Sequence, residues 1–290
     1  MTTSGTQPTL VFSHANGFPA GTYRQHFEAW RAAGWRVEAI DRLGHNERYR
    51  VSSNWPHLRD ELIAFIEGLG TGPVALVGHS LGGFLSLIVA CRRPALVNAL
   101  VMLDAPVLAG WKAHSVHVAK VTGLIKKVSP GRIANKRREL WPSREAMLAH
   151  FAGKSAFARW APGVLADYVE AGSRPDPHAD PANAPGGVRL AFDRSVEAHI
   201  YDTLPHHLGR LIGRHPPRCP VSFIAGTQST EIRQVGLQAT KQLIAEANLQ
   251  HPDRPGQLMW MEGSHLYPME KPADTATAVL NLLAAMKAGN

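Results

Sequence analysis

The chain has 290 residues, 44% of them hydrophobic and 19% charged, with two cysteines and a net charge of +8. That length and composition describe an ordinary globular protein, with room for one large domain or a domain carrying an insertion. They exclude a disulfide scaffold and a spanning helix, because Cys91 and Cys219 form no C-x-x-C pair and no apolar run reaches the roughly 18–20 residues a membrane crossing needs.

Met1–Pro8 is short and polar, with no basic segment leading into an apolar stretch, so a cytoplasmic protein without a signal peptide is expected. The charge is uneven. Residues 107–218 carry 17 Lys and Arg against 9 Asp and Glu, whereas the rest of the chain carries 14 of each. A basic middle segment attracts acidic substrates or a membrane surface, or is simply a solvated face. No nucleic-acid-binding module accompanies it, so no nucleic-acid partner is expected.

In chain order, Thr9–Phe12 is a short buried strand, followed by a helix from about Thr22 to Ala33. Val37–Ile40 is a second strand. Apolar residues at 58, 62, 65, 66 and 69 mark one face of a helix over Leu58–Leu69. Val74–Val77 is a third strand, with an apolar helix after Ser80, and Ala99–Leu103 is a fourth. The alternation then stops. Residues 107–217 are helical in patches and broken by Pro and Gly, with a loop expected over Arg174–Gly187. Strand and helix resume with Val221–Ala225, a helix near Val235–Ala247, the strand Leu258–Met261 and a final helix over Pro272–Met286. Alternation of this kind predicts an α/β fold: a doubly wound, mostly parallel sheet of about six strands. The core is then 1–106 with 218–290, and 107–217 is a mainly helical cap over the strands' C-terminal ends, where such sheets bind ligands.

The chemistry concentrates in Gly78-His79-Ser80-Leu81-Gly82. This G-x-S-x-G follows a strand and opens a helix, the setting in which a tight turn exposes a nucleophilic serine and small neighbours let the chain pack around it. Serine needs a base to react near neutral pH. His265, in Glu262-Gly263-Ser264-His265-Leu266, lies between the last strand and the last helix. His114 with His117, and the adjacent His206 and His207, lack converging carboxylate or thiolate partners, so no metal site is expected. No phosphate loop or dinucleotide fingerprint is present, so no cofactor is expected either.

These motifs, with His14-Ala15-Asn16-Gly17-Phe18 after the first strand and Asp41-Arg42-Leu43-Gly44-His45 after the second, resemble the α/β-hydrolase superfamily of serine esterases and lipases. The resemblance covers residues 9–106 and about 219–288. It implies Ser80 as nucleophile and His265 as general base. It also implies an oxyanion hole from the backbone amides of Asn16 and Leu81; Gly17 is a rival donor because the family's usual glycine is Ala15 here. The loop at 41–45 is read as structural. The acid has two candidates: Asp104, ending the fourth strand, and Glu231, the only carboxylate in the loop after Val221–Ala225. Asp104 is preferred because a strand end fixes its position. The activity implied is hydrolysis of small-molecule carboxylic esters, acidic ones if the basic segment is functional, through an acyl-enzyme. Acyl transfer, perhydrolysis, or a non-catalytic binding role on the same fold are the alternatives. Phe18, Trp111, Trp141, Phe151 and Trp160 are candidates for the pocket wall.

Overall fold

The computed structural model describes residues 7–122, 131–179 and 186–287. Six strands form one parallel sheet: β1 (Thr9–Ser13), β2 (Arg36–Ala39), β3 (Val74–His79), β4 (Val97–Leu103), β8 (Val221–Gly226) and β9 (Leu258–Met261), in the order β2-β1-β3-β4-β8-β9. Every neighbouring pair in that sheet is parallel. The strand count and the doubly wound class match the sequence expectation.

Side-chain alternation explains why both faces need cover. Leu76, Leu100, Met102 and Phe223 join the helices Pro56–Leu69, Leu81–Arg92 and Gln238–Gln250 in one apolar cluster. Their strand neighbours Val77, Val101, Leu103 and Ile224 join Phe27 and Trp30 of the helix Arg24–Ala32 and Val279, Leu282 and Leu283 of Pro272–Ala285 in the other. A strand buried on both faces reads as a continuous apolar run rather than an alternating one, as Leu100-Val101-Met102-Leu103 does. The Trp30 indole satisfies its one donor by reaching the Ala276 carbonyl at 3.2 Å, as a buried tryptophan must.

Between β4 and β8 the chain forms the helices Gly110–Val121, Gly131–Ala134, Arg144–Ala152, Val164–Gly172, Arg194–Asp202 and Leu208–Arg214. It also forms a small antiparallel sheet of β5 (Leu140–Trp141), β6 (Ser173–Pro175) and β7 (Val188–Leu190), ordered β5-β7-β6. This corrects the expected loop over Arg174–Gly187 at its start, since Arg174 pairs with Arg189; residues 180–185 lie outside the described residues. Strands of two or three residues carry no readable period, and their partners are far away in sequence. The segment has an apolar centre of its own, with Trp141, Met147, Phe151, Tyr168 and Leu190 buried together and Phe18 and Trp160 packed against it. Trp141 and Phe151 are therefore core residues of this segment. The side chains of Trp111 and His117 lie outside the described residues.

Candidate active site

In the strand order, β1 and β2 lie to one side of β3 and the later strands to the other, so the connections after β1 and β3 diverge, the point at which such sheets open a ligand-binding crevice at the strands' C-terminal ends. The loops that follow β1, β3, β4, β8 and β9 all border this edge. The turn after β3 is the tightest. Ser80 has φ 53° and ψ −115°, a conformation that costs an L-residue roughly 1–3 kcal/mol and persists only where its surroundings enforce it. Two backbone bonds do so: Ser80 N–H donates to the Leu103 carbonyl at 2.9 Å, and Phe84 N–H to the Ser80 carbonyl at 3.1 Å. The glycines around it are packing requirements. A Cβ on Gly82 would lie 1.9 Å from the Ser13 carbonyl oxygen, and one on Gly78 would lie 2.3 Å from that of Gly82. The helix Leu81–Arg92 thus abuts the end of β1, which brings the loop at 14–18 beside Ser80.

His265 Nε2 stands 3.0 Å from Ser80 Oγ, and Nδ1 2.7 Å from Asp104 Oδ2. A carboxylate only accepts, so Nδ1 carries the ring hydrogen and Nε2 accepts from the serine hydroxyl. Asp104 is fully buried, at φ 46°. Its other oxygen accepts from the Gly226 amide at 2.7 Å, and Oδ2 also accepts from Ser229 Oγ at 2.5 Å. Glu231 approaches the same imidazole nitrogen at 3.7 Å, beyond hydrogen-bond range, with its side chain 45% exposed. Burial by itself lowers the His265 pKa, but the Asp104 hydrogen bond and the charges of Glu231 and Asp104 outweigh it and hold the pKa above the usual imidazole value.

The loop carrying His265 is fixed by bonds on both sides. The Gln228 amide donates to the Gly263 carbonyl at 2.8 Å, and Ser264 Oγ donates to Glu270 Oε1 at 2.5 Å. Arg159, from the inserted segment, pairs with Glu270 at 3.1 Å and donates to Gln228 Oε1 at 2.7 Å.

One part of the site had no sequence signal. His79 occupies an unspecified position of G-x-S-x-G, yet it is completely buried and spans two loops. Its Nε2 faces the His265 carbonyl at 2.9 Å, so Nε2 carries the hydrogen and Nδ1 accepts from the Tyr23 hydroxyl at 2.7 Å. That hydroxyl in turn accepts from the Ala15 amide at 3.3 Å. Burial holds the His79 pKa well below the usual value, the nearby His265 adding to the effect. A neutral hydrogen-bonded chain thus joins the loop after β1 to the loop bearing His265. On the other side of the β1 loop, Asn16 Nδ2 donates to the Glu197 carbonyl at 2.9 Å, and the Glu197 carboxylate pairs with Arg137 at 2.7 Å. His14 turns inward: Nδ1 donates to the Ala15 carbonyl at 2.8 Å and Nε2 accepts from the Leu43 amide at 2.8 Å, tying this loop to the one at 41–45. Burial lowers the His14 pKa to about 4.

A cation could be held, among the described residues, by Asp104, Glu231 and His265, whose ligand atoms lie within 4.8 Å of one another. Asp104 already accepts three hydrogen bonds in that cluster, so the arrangement fits orientation of an imidazole. No described helix is long and apolar enough to cross a membrane.

A strained serine, a histidine and a buried carboxylate thus lie in one hydrogen-bonded line at the strand ends of a doubly wound sheet. The alpha/beta hydrolase family model matches residues 10–278, and the chain belongs to that family. The sn-1-specific diacylglycerol lipase ABHD11 of Mus musculus is similar, with 25% identity over 288 residues, covering 96% of this chain and 82% of that protein. The monoglyceride lipase of Mus musculus is 30% identical over 136 residues, 44% of this chain and 45% of that protein. Among solved structures, E-2-(acetamidomethylene)succinate hydrolase superposes with a TM-score of 0.69 at 19% identity, covering 97% of this chain and 92% of that one. At that identity the likeness is one of fold. The relatives support a hydrolase with lipase- or esterase-like kin.

Proposed function

We propose that the protein hydrolyses carboxylic esters through an acyl-enzyme, with Ser80 as nucleophile, His265 as general base and Asp104 as the acid that orients it. The observation that carries this reading is the line Asp104 Oδ2, His265 Nδ1, His265 Nε2, Ser80 Oγ, with spacings of 2.7 and 3.0 Å at its two ends. As Ser80 Oγ attacks the ester carbonyl, its proton passes to His265 Nε2. The imidazolium then gives that proton to the departing alkoxide. Water, activated by the same nitrogen, releases the acid and restores the serine. The negative oxygen of each tetrahedral intermediate is assigned to the amides of Asn16 and Leu81, the second being the first residue of a helix whose N-terminus favours negative charge. Gly17 is the alternative donor in the same loop.

Residues 107–217 are proposed to cap this crevice, and their basic surplus to favour esters that carry negative charge. The lipase names among the relatives favour glycerol-type or other lipid esters as the substrates to try first. The test is hydrolysis of short-chain p-nitrophenyl esters and monoacylglycerols by the wild type and by Ser80→Ala. A loss of kcat on the order of 10⁶-fold is expected; turnover that survives the substitution contradicts the assignment. Because the neutral imidazole is the base and its pKa is raised, kcat/KM is expected to fall with decreasing pH through a limb lying above 6.5.

A further inference from the structure

The reaction as proposed uses one carboxylate beside His265, yet the fold delivers two. Asp104 Oδ2 and Glu231 Oε2 approach the same ring nitrogen, Nδ1, at 2.7 and 3.7 Å. They arrive from different elements, Asp104 from the end of β4 and Glu231 from the first turn of the helix Thr230–Val235 after β8. Ser229 lies between them. Its Oγ lies 2.5 Å from Asp104 Oδ2 and 3.3 Å from Glu231 Oε2, and it caps that helix by accepting from the Ile232 amide at 3.1 Å. The helix that this cap starts carries Glu231 in its first turn, and that placement sets the carboxylate beside the imidazole.

We propose that Glu231 is a positioning residue of this site: a second carboxylate that shares with Asp104 the stabilisation of the His265 imidazolium and keeps the imidazole in place when Asp104 is lost. The inference rests on the catalytic reading above. At 3.7 Å Glu231 acts through its charge, without a hydrogen bond. When Ser80 attacks, its proton goes to Nε2 and Nδ1 keeps its own hydrogen. The ring's positive charge then faces two anions, and no proton moves to either. The raised pKa of His265, to which the Glu231 charge contributes, agrees with this arrangement.

The other groups facing the pair leave that role to Glu231. His79, whose ring centroid is 5.0 Å from that of His265, is held neutral by burial. Ser80 faces Nε2, the opposite nitrogen. Arg159, from the inserted segment, is bonded to Glu270 and Gln228. Tyr201, on the helix Arg194–Asp202, feels the Glu231 charge, but its hydroxyl is kept un-ionised by burial. The two carboxylates differ in one respect that an experiment can read. Asp104 is sealed from solvent, whereas Glu231 is 45% exposed, so salt screens Glu231 and leaves Asp104 nearly untouched.

The test is the pH dependence of kcat/KM on p-nitrophenyl acetate, at low and high NaCl, for wild type, Glu231→Gln, Asp104→Asn and the double variant, each checked for folding by circular dichroism. The acidic limb of Glu231→Gln is expected at lower pH than that of the wild type. Salt is expected to move the wild-type limb in the same direction and the Glu231→Gln limb much less. Activity remaining in Asp104→Asn is expected to fall at least a further tenfold in the double variant. An active wild type whose limb ignores both the substitution and salt overturns this inference alone. A wild type that is inert on esters and whose Ser80 resists an acylating probe overturns the catalytic reading and this inference with it.

Discussion

The sheet and the segment inserted between β4 and β8 are built on different rules. At the C-terminal edge of the sheet the backbone itself is constrained: Ser80 and Asp104 both hold positive φ, and the Gly78 and Gly82 α-carbons lie against backbone oxygens. The inserted segment meets the core mostly through side chains, beside the backbone bonds from the Ala161 amide to the Met269 carbonyl at 2.9 Å and from the Asn54 amide to the Thr203 carbonyl at 3.0 Å. Arg159 reaches Glu270, Arg42 reaches the Ala191 carbonyl, Asn16 reaches the Glu197 carbonyl and Arg24 pairs with Asp167. Long side chains can exchange partners at small cost, whereas Gly82 has no room even for a Cβ, which would lie 1.9 Å from the Ser13 carbonyl oxygen. The comparison teaches that the backbone around Ser80 is held more tightly than the contacts that join the inserted segment to the core.

The largest expected effect falls on the rigid half. His265→Ala should remove ester turnover to within the residual rate that binding and oxyanion donors alone supply, a loss on the order of 10⁶-fold in kcat, measured on the same ester as the wild type. Replacing Gly82 by Ala should cost at least about 1–3 kcal/mol through backbone displacement and disable Ser80 as well. Gly213→Ala, in the inserted segment's helix Leu208–Arg214 with open space around it, should be neutral or stabilising by about 0.5–1 kcal/mol. Thermal melting of the two variants measures the contrast directly; equal destabilisation would break it.

A smaller effect is expected from Glu61, which anchors the loop at 41–45 by accepting from the Gly44 amide at 3.3 Å. Burial raises its pKa to about 7 from 4.5. The native state therefore binds this proton more tightly than the unfolded chain, and the wild type loses stability as pH rises from 4.5 to 7. Glu61→Gln, which keeps an acceptor but does not titrate, should gain about 2 kcal/mol relative to the wild type across that window. Melting temperatures at pH 5 and pH 8 show it. The smallest effect belongs to the link between the halves. Arg159→Gln should cost no more than about 1 kcal/mol of stability, because the arginine is half exposed, and should change KM more than kcat.

How much of this was legible in the sequence follows the same division. The six strands announced themselves as apolar runs separated by helical periods, and Ser80 and His265 by their glycine-rich flanks at strand ends. Asp104 and Glu231 could be named but not ranked by depth, because depth depends on Gly226 and Ser229 closing over Asp104, contacts made across more than a hundred residues. That both carboxylates face one nitrogen has no sequence signature. Neither has the Tyr23–His79 link, since an x in a motif carries no information about burial. The small sheet of the inserted segment escaped for another reason: Trp141 pairs with Val188 and Ser173 with Leu190, in strands too short for alternation to register.

The central claim is that Ser80 is a nucleophile activated by its surroundings. It is tested most directly by treating the purified protein with a fluorophosphonate probe and locating the adduct by mass spectrometry. Labelling confined to Ser80, absent in Ser80→Ala and strongly slowed in His265→Ala, is the expected result. A folded protein that takes up no probe, or takes it up at another serine, would contradict the account.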